Sequence, residues 1–420
     1  MIRKERLTNG LTLITESIPH VRSVSLGVWL KRGSRHEPAR LNGISHFIEH
    51  LVFKGTESRT AQEIALAMDT VGGQMDAFTT KEYTCFYAKV LDERLPTVID
   101  LLSDIVLHAK FDPVEVERER KVVLEEIKMV EDTPDELVYD LFAGNFYPRH
   151  SLGRPIQGTA KTLVSFSRNR LLHFFKEAYR PENMLIAAAG NFRHARVARL
   201  IRESFGKMKR GRKAEPKPRS PRARPGLVKK SKRELEQLHL LLGLPAFPES
   251  FEGRYRLFVL NTLLGGTMSS RLFQKIREER GLAYSVYSGV NGFQDCGFLM
   301  VYVATRAAKG KDVVQLILDQ FQDLREKGPT PEEMKVAKEN LKGSLMLSLE
   351  STSSRMSSLA RQEMYFGRQF TLKEMLQGID SVTPDGVHDL SATLFQNGPV
   401  GLAAVGRLGR FRLKEEGLHL

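Results

Sequence analysis

Between Lys207 and Arg233 the chain carries thirteen Lys or Arg against one acid, Glu215, together with Pro216, Pro218, Pro221 and Pro225. A stretch so charged and so rich in proline cannot bury itself and reads as an extended, self-repelling connection. It holds +12 of the +14 net charge and divides the 420 residues near their middle. The expected layout is therefore a first half, residues 1–206, a linker, 207–233, and a second half, 234–420, each half long enough for a core of its own. The halves match in pattern: Val52-Phe53-Lys54-Gly55-Thr56 aligns with Leu263-Leu264-Gly265-Gly266-Thr267, and Asp112-Pro113-Val114-Glu115 with Thr330-Pro331-Glu332-Glu333. Strand signals over 23–30 and 297–305 alternate with helix signals over 93–109 and 309–326. The class this predicts is α+β, two homologous α/β sandwiches, each a sheet with helices packed on one face.

The chemistry sits in the first half. His46-Phe47-Ile48-Glu49-His50 lies in an apolar helical stretch. Positions four apart on a helix lie one above the other, so both imidazoles can reach one Zn²⁺. Glu49 falls on nearly the same side, three residues from His46, where it can take a proton from a water as general base. The order His-x-x-Glu-His is the inverted form of the zinc-peptidase motif. In the second half the aligned positions are Leu257, Leu260 and Asn261, so that copy has no such set. A zinc site needs a third protein ligand, and the next carboxylate-rich helical stretch runs from Asp112 to Asp140. There Val116, Val122, Val123 and Ile127 read as an apolar stripe, and Glu119 and Glu126 stand two turns apart on one face. Spacing alone leaves Glu125 and Glu126 equally open, and Ser344 is the second-half counterpart of Glu126.

These residues resemble the insulinase-like zinc peptidases, family M16, and most closely the short branch that holds the mitochondrial processing peptidase beta subunit and its bacterial relatives. The similarity runs from Asn9-Gly10-Leu11 to Val400-Gly401-Leu402. It implies a Zn²⁺ endopeptidase whose third ligand follows the last histidine after about 75 residues, which lands on Glu126. It implies that Glu119 supports the site without binding metal, and that the two halves form a chamber for extended peptides. The segment from Gly72 to Thr84, with Ala77 and Phe78 at its centre, resembles the family's edge strand, where a substrate backbone pairs by strand addition. Asp76 departs from the Asn common there, and an ionised carboxylate accepts hydrogen bonds without donating them. In the second half Arg277 and Tyr284 match an Arg and a Tyr that steady the peptide carbonyl, a cation and a phenol suited to an oxyanion. Glu136 and Asp140 match acids that receive an arginine near the cleavage site. Read from the residues alone, Thr133-Pro134-Asp135-Glu136 is equally a capping box. The family's short members act in pairs, which makes a homodimer the expected assembly. Some relatives are catalytically silent partner or structural subunits, and the complete ligand set with its base argues against that reading here.

Composition closes off other classes. Cys85 and Cys296 are the only cysteines, too few for a disulfide framework, and a reducing cytoplasm fits. The start reads as strand, turn and strand, without a cleavable apolar leader. No long uncharged apolar run predicts a membrane span. Nucleic acid is not the expected partner, because the positive charge is confined to the linker without interleaved aromatics.

Overall fold

The computed structural model describes residues 1–211, 219–396 and 398–420. Part of the expected linker, 212–218, lies outside them. The described chain forms two compact units, and these cut across the halves expected from the sequence. Unit 1 comprises Met1–Lys128, Arg154–Arg219 and Leu347–Gln369, and unit 2 comprises Met129–Gly153, Ser220–Met346 and Phe370–Leu420.

Unit 1 is built on a six-stranded sheet of β1 (Ile2–Arg6), β2 (Thr12–Ser17), β3 (Ser23–Leu30), β4 (Gln74–Thr79), β5 (Thr84–Leu91) and β6 (Met184–Gly190). The spatial order is β1-β2-β6-β3-β5-β4, with β2 and β6 parallel and the other pairs antiparallel. Unit 2 has β7 (Leu227–Ser231), β8 (Leu238–Ala246), β9 (Ala283–Gly292), β10 (Gly297–Thr305) and β11 (Gly401–Gly406), in the order β7-β11-β8-β10-β9. Here β7 and β11 are the parallel pair. Set side by side, the two sheets repeat one topology, with β1 as an addition to the first. The strand β7 lies inside the segment 207–233 expected to be a linker. Of its two lysines, Lys230 pairs with Glu131 and Lys229 donates to the Leu413 carbonyl at 2.6 Å, so local charge does not keep the strand out of the sheet.

The α+β class with two matching units is as expected: helices pack on one face of each sheet, and one further helix lies on the other face. In unit 1, Val24, Leu26, Val28 and Leu30 of β3 point to one side, where helices Ile44–Val52, Leu95–Leu107, Arg168–Ala178 and His194–Phe205 close a core. The opposite parity, Ile14, Trp29, Cys85, Leu185 and Ala187, packs on Met356, Leu359 and Ala360 of helix Thr352–Phe366. A strand buried on both faces has no polar side to show, which is why β6 reads Met-Leu-Ile-Ala-Ala-Ala-Gly. Unit 2 mirrors this. Helices Arg254–Asn261, Gly310–Lys327 and Pro384–Leu394 cover one face. Leu241, Phe298, Tyr302 and Ala403 on the other meet Leu137, Val138, Phe142 and Phe146 of helix Pro134–Phe146. Each repeat of the sequence thus supplies the last helix of its counterpart's unit.

Two glycines make room for these helices. A Cβ at Gly27 of β3 would stand 2.7 Å from Met356 Sδ, and one at Gly243 of β8 would stand 2.3 Å from the Phe142 ring. Polar contacts then fix the outer helix of unit 1: Arg355 reaches Glu16 at 2.6 Å, and Tyr365 donates to Glu82, which also holds Arg35 at 2.6 Å. Among the described residues no helix is long and apolar enough to cross a membrane. Neither cysteine forms a disulfide, and Cys85 is buried.

Candidate metal centre

The helix Ile44–Val52 is short, and its start is anchored without a side-chain cap of its own. Glu37, buried six residues before Gly43, accepts the backbone N–H groups of Gly43 at 2.7 Å and Ser45 at 2.8 Å. A carboxylate on two orphan N–H groups at a helix N-terminus is favourable in both hydrogen bonding and dipole. Ile44, Phe47, Ile48, Leu51 and Val52 sink into the core, which turns His46, Glu49 and His50 to the opposite face. The helix Pro113–Asp132 presents Val116, Glu119 and Val123 to the same unit's interior. Val122, expected in that stripe, is exposed, because the buried rows follow spacings of three and four from 116 and 119.

Two turns beyond Glu119, the Glu126 carboxylate arrives between the two imidazoles. Its Oε2 lies 3.7 Å from His46 Nε2 and its Oε1 lies 3.4 Å from His50 Nε2. Ligands about 2.0–2.1 Å from a tetrahedral Zn²⁺ stand roughly 3.3 Å from one another, so this spacing fits a zinc ion with little adjustment. Among the described residues this is the one cluster of three such donors. Glu125, the alternative left open by spacing, is turned out: its side chain is 71% exposed and binds Lys128 at 2.7 Å. Glu119 is buried and bridges outward, with Oε2 3.3 Å from His50 Nδ1 and Oε1 2.8 Å from Lys54 Nζ. A carboxylate on the far nitrogen of a ligand histidine fixes its tautomer and leaves Nε2 to face the metal. His46 Nδ1 is buried with no such partner.

The charges of the cluster act on one another. Burial, with His50 beside it, pushes His46 down to about 4, so its ring is neutral at pH 7. Burial also lowers His50, but hydrogen bonding and charge from Glu126 outweigh it and hold the ring above its ordinary value. The His50 hydrogen bond draws Glu126 down in turn. Burial pushes Glu49 up to about 7, against the opposing pull of Thr79 and His50.

Thr79, which sequence reasoning passed over, holds Glu49: its hydroxyl donates to Glu49 Oε2 at 2.5 Å. It belongs to β4, the last strand in the order of its sheet. Parity was the available signal, since Ala77 and Thr79 share a face. Phe78 points the other way, edge-on to Trp29 at 5.8 Å, so at this position only the backbone is free to serve a peptide. The Asp76 carboxylate accepts the Ala77 N–H at 2.8 Å.

The remaining expected residues lie in unit 2. Glu136 is exposed and Asp140 half-buried on helix Pro134–Phe146. The capping box is not formed, since the Thr133 hydroxyl donates back to Met129 O at 2.8 Å. The Arg277 guanidinium lies between the rings of Phe273 and Tyr284, 4.7 and 4.6 Å from their centroids, and donates to the Tyr284 carbonyl at 3.0 Å. Tyr284, at the start of the outermost strand β9, is 77% exposed. At the positions matching the metal helix, Leu257 and Leu260 are core residues and Asn261 accepts from Ser288.

Comparison with known proteins agrees with this two-part pattern. Residues 12–160 match the family described as Insulinase (Peptidase family M16), and residues 165–341 match the Peptidase M16 inactive domain. Among curated relatives, the uncharacterized zinc protease SCO5738 of Streptomyces coelicolor is 42% identical over 97% of this chain and 90% of its own length. The uncharacterized zinc protease YmxG of Bacillus subtilis is 43% identical over 94% of this chain and 96% of its own. In fold, the chain is similar to a protease from Helicobacter pylori, with TM-score 0.91 at 21% identity over 96% of this chain and 99% of that one. It is also similar to a chain of Complex III2 from Candida albicans, with TM-score 0.86 at 19% identity over 99% of each. With two family matches in succession and relatives above 40% identity along nearly its whole length, this chain belongs to the insulinase family of peptidases, M16.

Proposed function

We propose that the protein is a zinc endopeptidase of the inverted His-x-x-Glu-His type that cuts extended peptides. The observation that carries this reading is the meeting of three donors: the Glu126 carboxylate lies 3.7 Å from His46 Nε2 and 3.4 Å from His50 Nε2, and one ligand atom from each residue lies within 4.8 Å of the others. Zinc, when bound, supplies Lewis-acid activation of water and of the scissile carbonyl. His46, His50 and Glu126 hold it, and Glu119 orients His50. Thr79 occupies Glu49 Oε2, leaving Oε1 to take the proton of the attacking water and deliver it to the leaving amine. The peptide adds as a strand along the free edge of β4, its backbone paired at Ala77 and Phe78.

To unit 2 we assign binding roles. Arg277 and Tyr284 steady the peptide carbonyl, and Glu136 with Asp140 receives an arginine near the scissile bond. A homodimer is the proposed assembly. The competing reading, a silent partner subunit, has the likeness to a Complex III2 chain in its favour. Against it stands a full donor set with a positioned base. Metal analysis and cleavage of a peptide library, followed by mass spectrometry, decide between them. The intact protein should hold about one Zn²⁺ per chain and cleave. Glu126→Ala should lose both metal and activity. Glu49→Gln should keep the metal and lose roughly 10²- to 10⁴-fold in turnover. Full turnover in Glu49→Gln would refute the mechanism, and zinc binding without cleavage by the intact protein would favour the silent subunit.

A further inference from the structure

The Glu119 carboxylate has two oxygens, and His50 uses one of them. Oε2 stands 3.3 Å from His50 Nδ1, while Oε1 meets Lys54 Nζ at 2.8 Å. Glu119 is buried, so its charge has to be met inside the protein. Lys54 meets it from just past the end of the helix Ile44–Val52, four residues after His50. A cation at that place also suits the negative end of the helix.

Lys54, Glu119 and His50 thus form one chain of contacts between the two helices that carry the donors, Ile44–Val52 with His46 and His50, and Pro113–Asp132 with Glu126. The last torsion of a glutamate is broad, so a carboxylate held at one oxygen can swing away from its partner. By taking Oε1, Lys54 removes that freedom and keeps Oε2 on the imidazole.

The second unit shows what the fold itself requires. In the alignment of the two halves Lys54 falls on Gly265 and Glu119 on Ala337. Ala337 is buried with Leu263, Leu264 and Met334 in one apolar core. A Cβ at Gly265 would stand 2.6 Å from Ser288 N, which leaves no room for a side chain. The lysine and the glutamate are therefore absent together from the half in which Leu257, Leu260, Asn261 and Ser344 stand where the donors and the base would be. A pair needed to dock these segments would occur in both units, whereas a pair that serves the metal occurs in one.

We propose that Lys54 is a positioning residue of the metal centre, acting through Glu119 to fix the His50 ring. The role presupposes the zinc assignment made above. It also carries a distinctive sign: by charge alone, removing a cation near the site would strengthen zinc binding, whereas loss of positioning weakens it.

The test is the zinc affinity of the full chain, read by competition with a fluorescent chelator, across Lys54→Met, Glu119→Gln and the double variant. Lys54→Met should weaken zinc by roughly tenfold, the lower end of what losing a partner of a ligand costs. Lys54→Arg, which keeps the charge-assisted contact, should stay within about threefold of the unsubstituted chain. In the Glu119→Gln background Lys54→Met should change affinity less than about twofold, because its route to His50 is already cut. Should Lys54→Met fail to fold, Lys54→Gln, which keeps a donor without the charge, is read in its place. Tight zinc in the unsubstituted chain with equal or tighter binding in the Lys54 variant overturns the proposal alone. So does a loss of the same size with and without Glu119, which would show that Lys54 acts by another route. An unsubstituted chain that binds no zinc overturns the zinc assignment, and the proposal with it.

Discussion

Replacing Leu359 by Ala probes whether helix Thr352–Phe366 is an integral part of unit 1. Leu359 is 3% exposed and packs with Ile14, Trp29, Leu185 and Ala187 against the outer face of the first sheet. The substitution removes three carbons, each worth about 0.8 kcal/mol of burial, and leaves a cavity, for a total of about 3 kcal/mol. The protein carries its own reporter. Trp29 is the only tryptophan, is 1% exposed, and its Nε1 donates to Met356 Sδ at 3.3 Å on the same helix. Its fluorescence during urea titration follows the undocking of that helix. With a urea dependence of roughly 1–3 kcal/mol per molar, the midpoint should fall by about 1–3 M. Leu347→Ala, at a residue 69% exposed, is the control and should cost less than about 0.5 kcal/mol. If Leu359→Ala moves the tryptophan transition no further than this control, the helix is not part of the unit's core.

Three further outcomes follow from the site. Glu119→Gln should weaken metal binding by roughly 10- to 100-fold in competition with a chelator, while Glu125→Gln leaves it unchanged; equal affinities would remove the orienting role of Glu119. Thr79→Val should lower kcat about tenfold or more at constant zinc content, because Glu49 loses the hydroxyl that fixes it, and an unaltered kcat would show that Glu49 is held by other means. Arg277→Ala and Tyr284→Phe should each slow peptide hydrolysis with zinc content intact, and full activity in both would withdraw them from substrate binding.

The metal helix was legible because helical spacing is local: positions 46 and 50 share a face whatever the rest of the chain does. Strands over 23–30 and 297–305 were legible from hydrophobic runs bounded by turn residues, and both occur where expected. The choice of Glu126 over Glu125 was not available from spacing, because adjacent helical positions differ by 100° and only the docked helix shows which one turns inward. The second covered face of each sheet was missed although β6 and β11 are apolar at almost every position, the pattern of strands buried on both sides. Its covering helix lies some 170 residues away in sequence for β6, beyond any local pattern. Likewise Lys229 and Lys230 masked β7, since their charge reads as linker while their backbone completes a sheet.

The exchange of outer helices has a consequence for how the chain comes into being. On the ribosome, the first sheet is complete once residue 190 has emerged, yet one face of it must wait until residues 352–366 are made. During that interval Ile14, Trp29 and Leu185 are open to solvent, a sticky surface that a chaperone can shield and that a stalled or truncated product retains permanently. The same arrangement makes a break in the basic segment survivable. The path of the chain passes from one unit to the other five times, so two polypeptides made from a gene split there would each lack a helix that only the other can provide. Such fragments would fold as an obligate pair, and neither would persist alone.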